Sequence, residues 1–197
     1  MTKRATLTVV LLAVGAAAGL LFWQQARQRG GTGVGYASRF QDFPVTFRYP
    51  SGWRLREEEG RMEVFRQIRL LGPRNADDTY TCSIAVWGSP LKAYGGRHGS
   101  VDGLVRHYTT HLFNGSRVVA EGRRRVGGVS ATDLTVSYTI PPLHQPGLKA
   151  IAIPVMTRTV FLERNPYLYE LSYSADARES DRSQQAFDLV LATFRFQ

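Results

Sequence analysis

From Phe43 the chain alternates apolar and polar residues with period two, which puts Phe43, Val45, Phe47 and Tyr49 on one face of a strand. Pro44 places that strand at a sheet edge or at its own start, because proline cannot donate to a ladder. Pro50-Ser51-Gly52 turns the chain, and Trp53 and Leu55 resume the alternation. Residues 43–55 therefore read as a hairpin-like corner closed by a large aromatic. Residues 57–60, EEEG, read as the next turn, and strands are expected over 62–71 and 79–87. The second of these carries Tyr80, Cys82, Ile84 and Val86 on one side. The period then changes. Ser100 stands where a helix N-cap belongs, and Val101, Leu104, Val105, Tyr108 and Leu112 form one stripe that Asn114-Gly115 ends. Strand patterns return over 117–126, 131–140 and 150–163, with the loop PPLHQPG between the last two. Asn165-Pro166 turns the chain into another strand over 167–174. Ser180 opens a second helix with Ala186, Phe187, Val190 and Leu191 on one face, and the chain ends in TFRFQ.

Strands, helix, strands, helix, without regular βαβ alternation, predict an α+β fold: a mainly antiparallel sheet flanked by two amphipathic helices. The N-terminal region is different in kind. Residues 5–23, ATLTVVLLAVGAAAGLLFW, carry no charge, and as a helix they would span roughly 28 Å, close to the hydrocarbon thickness of a bilayer. Lys3 and Arg4 precede the run and Trp23 closes it, as at a membrane interface. The flanks that follow, QQARQRGG, make a poor signal-peptidase site, so an uncleaved anchor is expected, with a cleaved signal as the competitor. Gly15 and Gly19 form a GxxxG spacing that suits helix pairing but arises readily in Ala/Gly-rich runs. RGGTGVG, 29–35, reads as a flexible tether; no strand leads into it and no helix leaves it, which argues against a nucleotide loop. The expected organisation is a cytoplasmic 1–4, a transmembrane helix 5–23, a linker 24–39 and a globular domain 40–197. The domain would then face away from the cytoplasm, or be secreted if the apolar run is removed.

Composition adds charge to this picture. The chain has 25 basic and 16 acidic residues, a net charge of +9 and a pI near 10.1. All but Lys3, Lys92 and Lys149 of the basic residues are arginines. Such a surface attracts anionic headgroups, acidic proteins or nucleic acid. No nucleic-acid-binding motif accompanies it, and an exported domain does not meet that partner. The single Cys82 excludes an internal disulfide and a cysteine-based zinc site, and its strand setting reads as a small buried hydrophobe.

Residues that could carry chemistry are few. His107 and His111 lie four apart on the first helix, a spacing that can hold one edge of a metal, but no third ligand is near in sequence. His98 and His144 sit in loop-like stretches. There is no GxSxG motif, and the acids at 57–59 and at Asp77-Asp78 fall in expected turns. Arg123, Arg124 and Arg125 precede Gly127-Gly128 at a hairpin, so successive side chains must point to opposite faces of the sheet. They form a candidate patch for an anionic partner, as does the 66–69 strand with Arg66 and Arg69 for lipid headgroups. No catalytic residue set and no cofactor site is expected. A pocket gathering His107 or His144 with a carboxylate would point instead to an enzyme.

Several features coincide in one family. The opening strand into Tyr49-Pro50-Ser51-Gly52-Trp53, the capped helix before mid-chain, the strand pair after it, VFLERNPYLYELSYSA and a last helix closing on ATFRF resemble the PsbP family in its broad sense, DcrB-like lipoproteins included. The likeness runs over about 40–197. It implies an α/β/α sandwich and a non-enzymatic accessory role, supporting assembly or stability of a membrane protein complex. It names no one partner. The chain lacks the lipidated cysteine of the lipoprotein members, and none of the metal ligands of photosynthetic members carries over. A second use implied by relatives of the fold is an adaptor or chaperone for apolar segments, which requires an exposed apolar groove.

Overall fold

The computed structural model describes residues 33–59, 66–75, 78, 80–91, 100–112, 115–141, 152–178 and 180–197. The apolar run 5–23, most of the expected linker, His98, His144 and Asp77 lie outside the described residues. Among the described residues no helix is long and apolar enough to cross a membrane. The unit that is described begins at Val34.

Its elements run β1 (Val34–Ala37), β2 (Val45–Tyr49), β3 (Arg54–Glu59), β4 (Arg66–Leu71), β5 (Cys82–Pro90), α1 (Val101–Thr110), β6 (Arg117–Val126), β7 (Val129–Ile140), β8 (Ile153–Arg164), β9 (Tyr167–Asp176), α2 (Ser180–Thr193) and β10 (Arg195–Phe196). The fold is α+β, with a seven-stranded sheet in the order β3-β4-β5-β9-β8-β7-β6 and a three-stranded sheet β1-β2-β10. Every pairing is antiparallel.

Alternation along the central strands makes the two faces of the large sheet unlike. On β9, Tyr169, Leu171, Tyr173 and Ala175 join the main apolar core. Glu170, Ser172 and Ser174 therefore point the other way. On β8, Val160 and Leu162 belong to that core, while Phe161 belongs to a separate small cluster with Val105 and Leu134. Helix α2 covers the core face with Phe187, Val190 and Leu191, all essentially buried. Helix α1 lies on the opposite face, where Val105 meets Leu134 and Phe161. Ser100 caps α1 by accepting a bond from the Gly103 amide at 3.1 Å.

Four expectations need correction. Residues 43–55 are not a hairpin, because β2 pairs with β1 and β10 whereas β3 pairs with β4. The turn at 50–52, with Gly52 at a positive φ of 84°, hands the chain from the small sheet to the large one, and Trp53 packs half-buried against the core they share. Glu57, Glu58 and Glu59 are the end of β3 and not a turn. There Glu57 accepts bonds from the Tyr36 hydroxyl and the Arg39 amide. Val34–Ala37, read as the end of the linker, is a strand held by β2. Finally, Arg195–Phe196 of the closing TFRFQ is a strand on the other edge of β2. Pro44 does stand before its strand, and its carbonyl accepts from the Gln197 amide at 2.9 Å.

The small sheet is pressed onto the large one at Gly88, where an added Cβ would lie 2.0 Å from the Phe43 ring. Phe43 is fully buried, so it has no room to yield. Gly88→Ala is expected to destabilise the protein by about 2 kcal/mol or more, by overpacking. Gly122→Ala, with nothing within 4 Å of the new methyl, is expected to be near neutral. Thermal unfolding of the two variants side by side checks the contrast.

Candidate functional site

Three neighbouring strands carry small side chains on the α1 side of the sheet. Cross-strand register aligns Ala85 with Ser172 and Thr159, and Ser83 with Ser174 and Thr157. The next row is large: Trp87, Glu170 and Phe161. Helix α1 is only ten residues long and settles over Phe161 and Leu134. Where the small residues lie, no helix side chain fills the space, and a cavity of about 510 Å³ results. Its walls are apolar or aromatic at Leu104, Leu112, Val136, Tyr138 and Leu168, and its floor is the hydroxyl ladder. Thr157 Oγ1 and Ser174 Oγ lie 3.0 Å apart and satisfy one another. The Ser116 hydroxyl, on the same lining, is buried with no hydrogen-bond partner among the described residues.

Glu170 is the charged group of this floor. Tyr108, from α1, donates its hydroxyl to Glu170 Oε1 at 2.9 Å, and its ring lies 5.0 Å from that of Phe161. Burial pushes the Glu170 carboxyl up to about 7, and the bond from Tyr108 offsets part of that rise. His107 and His111 line the cavity as well, with ring centroids 4.3 Å apart. His111 Nδ1 is engaged on its own helix by Thr110 Oγ1 and the His107 carbonyl, each at 3.0 Å. Among the described residues no group of three or more His, Cys, Asp or Glu could hold a metal ion.

The expected arginine patch is distributed, not concentrated. Alternation sends Arg124 to the core side of the sheet, where it pairs with Asp133 at 3.0 Å. Arg123 points to the α1 side and reaches Asp102 of that helix at 3.2 Å. Arg125 donates to the Gly128 carbonyl. Arg66 and Arg69 pair with Asp42 and Glu58 at 3.1 and 3.7 Å. Asp133 is also held in a fork by Arg158, at 2.9 and 2.7 Å. Burial pushes the Asp133 carboxyl up, but the bonds and charges of Arg158 and Arg124 outweigh it and hold the group below the ordinary range.

The cavity was not foreseen from the sequence. Its signal was present in TRTVF and LSYSA, where Thr157, Thr159, Ser172 and Ser174 occupy alternate positions of their strands. A solvated sheet face writes the same pattern.

No protein-family model matches the chain, and no curated protein matches it at a significant level. Solved structures do. The cyanobacterial PsbP (CyanoP) of Synechocystis is 14% identical, with a TM-score of 0.51 over 85% of this chain and 96% of that one. The domain has the PsbP-like fold. LpqN of Mycobacterium tuberculosis, a protein involved in cell envelope biogenesis, is 15% identical over 86% of this chain and 94% of its own, with a TM-score of 0.48. The Ran-binding protein Mog1p of Saccharomyces cerevisiae is 11% identical over 85% and 96%, with a TM-score of 0.49. At these identities the likeness to CyanoP is one of fold, and the two lower scores add nothing to it.

Glu170 sets a pH dependence in this PsbP-like domain. Its carboxyl keeps its proton in the folded protein up to about 7, whereas its ordinary value is 4.5. The unfolded chain therefore binds fewer protons across that window, and stability falls as pH rises through it. Glu170→Gln should abolish this slope, leaving the variant about 2 kcal/mol more stable than wild type at pH 8 and equal to it near pH 4.5. Tyr108→Phe should move the Glu170 titration further upward. Denaturant unfolding across pH and carboxyl NMR titration check the two outcomes.

Proposed function

We propose that this chain is a membrane-tethered, non-enzymatic binding module. In this reading residues 5–23 anchor it, and its PsbP-like domain, layered α/β/α, holds a protein partner in or on the membrane. The role is accessory, supporting assembly or stability of the complex to which that partner belongs. The observation that carries the reading is the concave site on the α1 face, with apolar walls and a few placed polar groups, the common form of a binding site. The PsbP-like fold and the uncharged run 5–23 support it.

His107 and Glu170 do line one cavity, which is the arrangement an acid–base enzyme would use. Against that use, the partner on Glu170 is a phenol from the covering helix, and His111 Nδ1 is engaged within its own helix. The arginines keep anionic headgroups as a secondary contact. Their ion pairs to Asp102, Asp133, Asp42 and Glu58 leave orientation on a membrane to the pattern of charge as a whole.

A second reading has its own observation. Val118, Ile140 and Ile153 are exposed, between 40% and 41%; Ile140 pairs with Ile153 at the end of β7 and β8, and Val118 of β6 lies opposite Val136, further back along β7. This exposed apolar strip suits an adaptor for apolar segments of envelope proteins.

Affinity purification of the full chain from detergent-solubilised membranes separates these readings from a solitary protein. Reproducible co-purification of a membrane protein, lost on filling the cavity with Ser172→Leu, is expected for the binding module. Loss on changing Val118, Ile140 and Ile153 together to Ser favours the apolar-segment adaptor. Recovery of the chain alone at both low and high salt would overturn both.

A further inference from the structure

The cavity against α1 has an electrostatic character opposite to that of the chain. The protein carries 25 basic residues, yet none of the described residues that line the cavity is Lys or Arg, and the one carboxylate among them is Glu170. A site built for an anion would carry such cations. We propose that the cavity binds a small amphipathic monoamine, its ammonium head paired with Glu170 and its apolar body lying along Leu134, Val136 and Leu168. At about 510 Å³ the space matches that of ordinary small-molecule sites, roughly 300–1,000 Å³.

The chemistry of the floor suits an ammonium in particular. Its three donors need acceptors. Glu170 and Ser172 lie two apart on β9, on the same face of the sheet. The Ser172 and Thr159 hydroxyls, opposite one another across the strands, can accept from the ammonium, and discrimination against a carboxylate falls to Glu170. Trp87, Tyr108 and Tyr138 bring aromatic side chains to the lining, and cations are attracted to the faces of such rings. Tyr108 already donates to Oε1 of Glu170, leaving the second oxygen for the ligand.

Binding of this kind is proton-linked. The amine requires ionised Glu170, while the empty site holds that proton up to about 7, so the binding-competent fraction falls about tenfold from pH 8 to pH 6. Other titratable groups share the space: His107, Tyr108 and His111 from α1, and Tyr138 from β7. The strands beside Glu170 place Trp87 and Phe161 next to it, and Glu163, two residues along β8 from Phe161, is exposed. His107 and His111 share the lining with Glu170, so a variant lacking both imidazoles isolates the contribution of Glu170.

The test uses the full chain in neutral-lipid nanodiscs, titrated with phenylbutylamine, phenylbutanol and phenylbutyrate, which share one apolar body. The amine should bind at least tenfold more tightly than the alcohol or the acid at pH 8. Its affinity should fall about tenfold by pH 6 and do so equally in His107→Gln/His111→Gln. Glu170→Gln should lose the preference for the amine together with the pH dependence, and Ser172→Leu should lose binding of all three probes. Equal or better binding of the alcohol or the acid overturns the proposal. So does amine binding unaffected by Glu170→Gln or by Ser172→Leu. Both readings use this cavity, but the probes are titrated against the full chain alone, so a failed co-purification leaves the inference standing and failed amine binding leaves the protein-partner reading standing.

Discussion

The pairing of β8 with β9 governs the rest of the molecule. Its register sets Val160 against Leu171 and, one residue along, Phe161 against Glu170. The first pair points into the main core and the second towards α1. A slip of one residue would exchange the faces, driving Glu170, Ser172 and Ser174 into the core and exposing Leu171 and Tyr173. The cost of burying those polar groups without partners makes the register strongly specified. From this one alignment follow the face on which α2 packs, the face left for α1 and the floor of the cavity.

The core face is reinforced from three directions. Helix α2 lays Phe187 against Tyr173 at 5.8 Å, and the Tyr173 hydroxyl in turn donates to the Ser180 carbonyl at the start of that helix. The small sheet joins residues from both ends of the domain, because β2 lies between β1 and β10. Arg158 fastens the seam by pairing with Asp133 of β7 and with Asp188 of α2. Two carboxylates of the large sheet thus act in opposite senses. Asp133, held low by its arginines, adds stability that is lost on acidification, whereas Glu170 on the other face withdraws stability as pH rises. Such opposition is what a sheet with one packed face and one incompletely covered face should show.

Local signals were legible in the sequence and long-range ones were not. Ser100 and Ser180 marked both helix starts, Ser100 as the N-cap, since such signals depend on a few neighbouring residues. Alternation located β6 to β9 within a few residues for the same reason. The transfer of the chain between sheets at 50–52 could not be read, because a tight turn leaves the same residues whether or not its flanking strands pair. Glu57 to Glu59 misled because three acids suggest solvent; their strand is stabilised by pairing with β4, and Glu58 and Glu57 find Arg69 and Tyr36 from elsewhere in the chain. The cavity was hidden more deeply. It depends on small residues of three strands aligning in rows beneath a helix too short to fill the gap, a coincidence that no single segment displays.

Charge explains why the most conspicuous feature of the sequence is not where the site lies. Arg123, Arg124, Arg125, Arg66 and Arg69 were prominent as a basic run and a basic strand, and each is met by an acid or a carbonyl of the same domain. The exposed pairs among them, such as Arg123 with Asp102, contribute little and are screened by salt. Glu170, inconspicuous within YLYELSYS, has no cation beside it among the described cavity-lining residues and is held in a space with apolar walls. Because an unpaired carboxylate in such surroundings costs free energy, its placement there works against stability. A group kept at a cost to stability is better accounted for by a ligand that neutralises it than by the fold alone.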